Sequence, residues 1–396
     1  MKQQLKIFNG RIITPNRIID GGTVLVSDGK ITAVSEHAIE APEAVVINAN
    51  GKYVSPGFID IHVHGGGGHD FMDNTVEAFL EIAAIHARHG TTAMLPTTLT
   101  SSKADLLETL SVYETAEKKN LKGSQFIGMH LEGPYISPAQ RGAQDSRYIR
   151  DPDPKEYKEI LDASSAIKRW SAAPELPGSI EFGKYITGKG VLAAIAHTDA
   201  IYAEVLTAFE NGYTLVTHLY SAMSGVTRRN AFRHAGVIES AFLIDEMDVE
   251  IIADGIHLPP PLLQLVYKIK GPEKIALITD AMRAAGMPPG ESILGSLKNG
   301  LKVIVEDDVA KLPDRSSFAG SVATMDRTVR TMMAAGVPLV KAVGMATATP
   351  ARIMKVENKG SLAAGKDADI VIFDDDINVE LTMIKGKIVY DTRKPW

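Results

Sequence analysis

Apolar and polar positions alternate in two different styles along this chain. Up to about residue 55 the apolar residues come in short β-type runs: Lys6-Ile7-Phe8, Thr23-Val24-Leu25-Val26, Lys30-Ile31-Thr32-Ala33-Val34 and Val45-Val46-Ile47. Asn9-Gly10, Gly21-Gly22 and Asp28-Gly29 break these runs, as hairpin turns do. The same style returns near the C-terminus in Ala368-Asp369-Ile370-Val371-Ile372-Phe373, in Val379-Glu380-Leu381-Thr382-Met383-Ile384 and in Lys387-Ile388-Val389-Tyr390. The pattern predicts one small β domain built from both chain ends, residues 1–55 with 362–396.

Between residues 56 and 361, strand-like and helix-like segments take turns. Strand candidates end near His64, Thr97, Glu132, Pro174, His197, His218, Ala253 and Asp280. Helical periodicity fills 75–88, 103–118, 180–187, 200–211 and 260–269. Eight strands alternating with helices predict an α/β fold of the (β/α)8 TIM-like barrel type. An open doubly wound sheet is the alternative; it would carry a glycine-rich nucleotide loop, and no G-x-G-x-x-G follows the first strand. Residues 290–318 interrupt the last unit with strand-like Leu301-Lys302-Val303-Ile304-Val305, which reads as an inserted hairpin.

Bulk composition narrows the function classes. With 396 residues the chain can bury a large core and form more than one domain. A formal net charge of −6 implies no broad basic surface and argues against a general nucleic-acid binder. The absence of cysteine excludes disulfides, Cys–zinc sites and thiol nucleophiles, and fits a reducing cytoplasm. Met1-Lys2-Gln3-Gln4-Leu5-Lys6-Ile7 does not read as a signal peptide, and no run of about 18 apolar residues suggests a membrane span.

The candidate chemistry sits at the strand ends, where active sites of this barrel lie. The first strand runs Phe58-Ile59-Asp60-Ile61-His62-Val63-His64. Residues two apart in a strand share a side, so Phe58, Asp60, His62 and His64 are expected on one face and Ile59, Ile61 and Val63 on the other. Two imidazoles on one face can converge on a metal ion. Later ends supply His130 and Glu132, His197 with Asp199, His218, Asp254 with His257, and Asp280. Histidines and carboxylates without cysteine suit Zn²⁺ or Fe²⁺. Glu132, His197 and His218 make a His2Glu set with a position left for water. His62 and His64 are candidates for a second ion, bridged by Glu132. An ion of this kind lowers the pKa of bound water to about 7. Asp280 is placed to take a proton from that water, and His257 to polarise a scissile carbonyl. His86 and His89, at the end of a helix, read as structural, where a partly cationic imidazole suits the helix dipole. Gly65 to Gly68 reads as a loop, and Asp374-Asp375-Asp376 as a solvated turn.

Taken in order, Pro56-Gly57-Phe58-Ile59-Asp60-Ile61-His62-Val63-His64-Gly65, His130-Leu131-Glu132-Gly133-Pro134, Ala196-His197-Thr198-Asp199-Ala200, His218 to Met223, Ala253 to His257, Thr279-Asp280-Ala281-Met282 and Ala319-Gly320-Ser321 resemble the amidohydrolase superfamily. Within it the sequence is most similar to the N-acetylglucosamine-6-phosphate deacetylase family, over nearly the whole chain. The resemblance implies a barrel beside a small β-sandwich, and hydrolysis of an N-acetyl group from a phosphorylated amino sugar in carbohydrate metabolism. It implies Glu132, His197 and His218 at the main metal position, His62 and His64 at a second position found in two-metal members, Asp280 as general base and acid, and His257 as the carbonyl-polarising residue. Zinc is the expected ion, with iron as the alternative, at one or two ions per subunit. No lysine ends the fourth strand, so Glu132 rather than a carboxylated lysine would bridge. The resemblance further implies substrate contacts from Gly142, Ala143, Ser221, Ala222, Ala319 and Gly320, and a cytoplasmic homodimer.

One region departs from the family pattern of Leu-Tyr-Asn-Ala-Met followed by Arg-Glu-Pro-Gly. Here Leu219-Tyr220-Ser221-Ala222-Met223 is followed by Arg228-Arg229-Asn230-Ala231-Phe232-Arg233-His234-Ala235-Gly236. In the family the arginine binds the sugar phosphate, usually from the neighbouring subunit. Arg229 matches by spacing from His218, while Arg233 lies nearer Gly236; Arg228, Arg229 and Arg233 are therefore the phosphate candidates. Three readings stay open: the glucosamine substrate or its galactosamine isomer; an amidohydrolase acting on a cyclic amide or a base; and a non-catalytic barrel, which the complete ligand set argues against.

Overall fold

The computed structural model describes residues 4–393. Met1-Lys2-Gln3, residues 394–396 and the side chain of Arg229 lie outside the described residues. Eight parallel strands form the centre: Phe58–Val63, Thr91–Thr98, Met129–Glu132, Ile167–Ala172, Leu192–Ile195, Tyr213–Val216, Asp248–Ile252 and Ile275–Ile278. Each pairs with the next in sequence. The last closes on the first through the Val63–Ala281 bridge, with Asp280 N–H donating to the His62 carbonyl at 2.9 Å. This is the barrel, not the open sheet.

Five of these strands, the first, second, third, seventh and eighth, are buried along their whole length, as expected of parallel strands covered on both faces. The helices begin where the sequence supplies caps. Thr75 accepts from the Ala78 N–H at the start of Val76–Arg88, Ser102 from Asp105 at Lys103–Lys119, and Asp153 from Lys155 at Pro154–Ala163. Ser179–Gly188, Tyr202–Glu210 and Pro260–Lys270 lie within two residues of their expected bounds. Among the described residues no helix is long and apolar enough to cross a membrane.

The insertion is larger than the single hairpin expected. Gly290–Leu294, Leu301–Glu306, Val309–Lys311 and Phe318–Ser321 form a four-stranded antiparallel sheet. It has its own apolar cluster, built on Leu294, Val303, Val305 and Ala310, with Met282 and Ala284 beneath it. A Ser321–Ala281 bridge ties it to the end of the eighth barrel strand, and so to the mouth of the barrel.

Strands from both chain ends make one mixed eight-stranded sheet. The C-terminal Ile370–Phe373 lies antiparallel to Tyr53–Pro56, immediately before the first barrel strand. Leu5, Ile7, Val24, Val26, Ile47, Val54, Ile370, Ile372, Leu381 and Met383 share one core. Neither end could bury its apolar face without the other.

Candidate active site

The first barrel strand does not alternate as expected. Phe58 packs outward against Phe373, while Ile59 and Ile61 join Leu95, Ile252 and Ile278. The pairing register with the second strand shifts between Asp60 and Val63. Asp60 marks this bulge: its carboxylate accepts from the backbone N–H of His62 and of Thr279, each at 3.3 Å, and from the Thr279 hydroxyl at 2.5 Å. Asp60 thus fastens the first strand to the eighth and does not share the side of His62. Beyond the bulge, His62 and His64 meet, Nε2 to Nε2, at 3.2 Å.

Three more strand ends turn sharply inward. His197, His218 and Asp280 have φ of 46°, 31° and 49°, in the left-handed region that side chains other than glycine rarely adopt. Strain of this kind gathers where a side chain must be aimed at a site. The two imidazoles are aimed at Glu132: its Oε1 stands 3.0 Å from His218 Nε2 and 3.4 Å from His197 Nε2. The same carboxylate reaches His62 Nε2 at 3.5 Å and His64 Nε2 at 3.4 Å. Asp280 Oδ1 approaches His64 at 3.1 Å and His62 at 3.5 Å.

Two groups with metal-ligand spacing result, and they share one residue: His62, His64 and Glu132; and Glu132, His197 and His218. The residues fit a divalent ion by more than proximity. The Nδ1–H of His197 donates to the Gln140 carbonyl at 2.8 Å, and that of His64 to the Thr97 carbonyl at 3.2 Å. That fixes Nε2 as the nitrogen with a free lone pair. Burial opposes charge on both carboxylates, but attraction to the neighbouring imidazoles outweighs it; at His218 burial wins and holds the imidazole below its ordinary pKa. The Glu132 carboxyl is held well below the usual range and that of Asp280 below it, both chiefly against desolvation by the charge of His62 and its neighbours. Both carboxylates are therefore anions at neutral pH, as a cation ligand such as Glu132 and a proton acceptor such as Asp280 must be.

His257 approaches from the seventh strand. Its Nδ1–H donates to Asp254 Oδ2 at 2.7 Å, and Asp254 Oδ1 accepts from the backbone N–H of Ile256 and His257 at 2.9 and 2.8 Å. The Asp254-Gly255 turn thus orients the imidazole, leaving Nε2 for a ligand. A cavity of about 500 Å³ opens over these groups, lined by His64, Glu132, His197, His218, His257 and Asp280. Gly142, Ala143, Ser221, Ala222 and Gly320 also line it; Ala319 is buried beside Gly320 and does not.

Arg228 and Arg233 are placed elsewhere. They face each other on an exposed hairpin, Thr227–Arg229 with Phe232–His234, and do not line this cavity. The cations that do line it are Lys311 and Arg315 of the inserted sheet, which pair with Glu306 and Asp307. The sequence reading missed these, and also Gln144, whose amide donates to Glu132 Oε2 at 2.7 Å while its carbonyl accepts from Thr100 N–H at 2.8 Å. Gln144 sits in a loop with no periodicity, so no pattern pointed to it. His130 does not join the ligands; its Nε2 lies 2.7 Å from Ser171 Oγ.

Comparison with known proteins shows the family. The amidohydrolase family model matches residues 53–389. The N-acetylglucosamine-6-phosphate deacetylase of Bacillus subtilis is 34% identical over 401 residues, covering 100% of this chain and 99% of that protein. The one of Lysinibacillus sphaericus is 35% identical, covering 93% of each. Among solved structures, an aspartate-to-alanine mutant of N-acetyl-D-glucosamine-6-phosphate deacetylase from Mycobacterium smegmatis, in complex with N-acetyl-D-glucosamine-6-phosphate, superposes with a TM-score of 0.90 at 32% identity. It covers 98% of this chain and 100% of its own. The chain belongs to the amidohydrolase family, in the group of its amino-sugar-phosphate deacetylases.

Proposed function

We propose that the protein hydrolyses the N-acetyl group of N-acetylglucosamine 6-phosphate, giving glucosamine 6-phosphate and acetate. The observation that carries this is the meeting of two ligand groups, Asp280 and His257 in one cavity, within a chain matched end to end by deacetylases of that substrate. Glu132, His197 and His218 would hold a divalent ion, which when bound would supply Lewis acidity toward water and the acetyl carbonyl. Asp280 takes the proton of the attacking water and delivers it to the departing amine. His257, whose Nδ1–H is held by Asp254, acts in its doubly protonated form and donates Nε2–H to the carbonyl oxygen, where negative charge develops. Gln144 keeps the Glu132 carboxylate from rotating away.

Zinc is our choice of ion, with iron second, since the donors are imidazole nitrogens and carboxylate oxygens only. His62 and His64 would hold a second ion. The phosphate would be met by Arg228, Arg229 or Arg233 of a second copy in a homodimer. Val226 and Phe232, 60% and 75% exposed beside those arginines, are apolar surface that such a copy would cover. A cytoplasmic setting suits a chain without cysteine.

The test is release of free amine and acetate from N-acetylglucosamine 6-phosphate, and separately from its galactosamine isomer, by metal-replete protein. Turnover of the first in preference to the second is expected. No turnover of either overturns the proposal.

A further inference from the structure

Beneath the ligand cluster the barrel holds a second polar layer that none of these steps uses. Arg169 on the fourth strand and Glu250 on the seventh are both fully buried. The Arg169 guanidinium donates to both Glu250 oxygens, through Nη1 to Oε1 and through Nη2 to Oε2 at 2.8 Å. It also donates to Thr217 Oγ1 at 2.8 Å and to the Ile61 carbonyl at 3.1 Å. Thr217 Oγ1 lies 3.2 Å from Ser171 Oγ, which lies 2.7 Å from His130 Nε2. The His130 ring in turn stands edge-on to His62, with centroids 4.7 Å apart at 89°. The chain of contacts therefore returns to the first-strand histidine.

A buried ion pair seldom adds net stability over apolar packing, so its presence here asks for another reason. The reason lies at the other end of the pair. Glu250 Oε2 faces Nδ1 of His62 at 3.5 Å, and that buried nitrogen makes no hydrogen bond to any other described group. Glu132 and Asp280 both approach His62 from the opposite side, at Nε2. Glu250 is thus the carboxylate on the Nδ1 side.

We propose that Glu250, braced by Arg169, is a positioning residue for the second ion: it accepts from the Nδ1–H of His62 and so keeps the Nε2 lone pair turned toward His64 and Glu132. The other tautomer would carry its proton on the ligating nitrogen. Arg169, bonded to both Glu250 oxygens, stops the carboxylate from turning into the ligand cluster itself. The inference rests on the metal reading above and names the group that makes its second position usable.

The experiment titrates metal-stripped protein with Zn²⁺ by calorimetry, with ion content checked by elemental analysis. Wild type is expected to take two equivalents. Glu250→Gln is isosteric and should weaken the second about 10–100-fold, leaving the first unchanged. His62→Asn removes the ligand itself and should weaken the same equivalent. Adding Glu250→Gln to His62→Asn should then change nothing further, because the residue acts only through that imidazole. An equal loss in both equivalents, an added loss in the His62→Asn background, or no loss at all overturns the inference. If Glu250→Gln does not fold, Thr217→Val, which only loosens the Arg169 brace, should still weaken the second equivalent by a smaller factor; unchanged affinity in that variant is equally fatal. A wild type that takes one equivalent overturns this inference and leaves the main metal site standing. A wild type that takes none overturns both.

Discussion

Nε2 of His64 lies 3.1 Å from Oδ1 of Asp280, so the first and last barrel strands meet through their side chains as well as their backbones. The contact places Asp280 at the edge of the ligand cluster with its carboxylate ionised. Replacing Asp280 with Asn keeps the shape and removes the proton acceptor. Steady-state kinetics should show kcat reduced by about 10²–10⁴ with KM little altered. Undiminished kcat would move the base elsewhere.

His257 and Asp254 make a second pair whose roles separate kinetically. Removing an oxyanion-stabilising donor costs about 10²–10³ in kcat, and His257→Asn should fall in that range. Asp254→Asn should cost less. It keeps the imidazole but loses the carboxylate at Nδ1 that orients the ring and supports its second proton. If Asp254→Asn proved the more damaging change, its two backbone contacts, and not the imidazole, would be the reason it matters.

What the sequence made legible was the set of polar residues that end apolar strands. His64, Glu132, His197, His218 and Asp280 stood out because a barrel strand otherwise buries its length in apolar side chains. The supporting groups lay inside strands. Arg169 and Glu250 are charged residues within Ile167–Ala172 and Asp248–Ile252. A charge at an inward position of an apolar strand is a usable signal, yet it shows no partner until the strands are folded together. Asp60 was misplaced for a different reason: strict two-residue alternation cannot foresee a bulge. The last two strands of the insertion, Val309–Lys311 and Phe318–Ser321, were missed because three- and four-residue strands are too short to show a period.

His86 was expected to act as a partly cationic helix terminator; the structure makes it a neutral core residue instead. It is fully buried, and its Nε2–H donates to the Gly65 carbonyl at 2.9 Å, behind the glycine loop that follows His64. Burial lowers its pKa from 6.5 to about 4. The folded protein therefore refuses a proton that the unfolded chain accepts below about pH 6.5. The stability this contributes is complete above pH 6.5 and is lost as the pH falls toward 4, by about 3 kcal/mol. In His86→Gln the donor is kept and the titration removed. Urea midpoints of the metal-stripped proteins should diverge across that window, with wild type falling more steeply. Parallel curves would show that His86 does not carry the acid sensitivity.

Arg228 and Arg233 lie on an exposed hairpin outside the cavity of their own chain, while Lys311 and Arg315 stand at its rim. If a second copy supplies the phosphate anchor, one of Arg228→Ala, Arg229→Ala and Arg233→Ala should raise KM about 10–100-fold, the worth of a lost charge-assisted contact. Lys311→Ala and Arg315→Ala should change it less, since both cations are already paired with Glu306. Mixed dimers then give a sharper outcome. Asp280→Asn subunits have no working base but an intact hairpin. Subunits with the damaging arginine change have the base but no anchor to lend. Refolded together and assayed at low substrate, they should recover activity that neither shows alone, because the intact hairpin of one completes the site of the other. If mixing gives only the sum of the separate activities, the anchor acts within its own chain, and the rim cations Lys311 and Arg315 become the groups to change next.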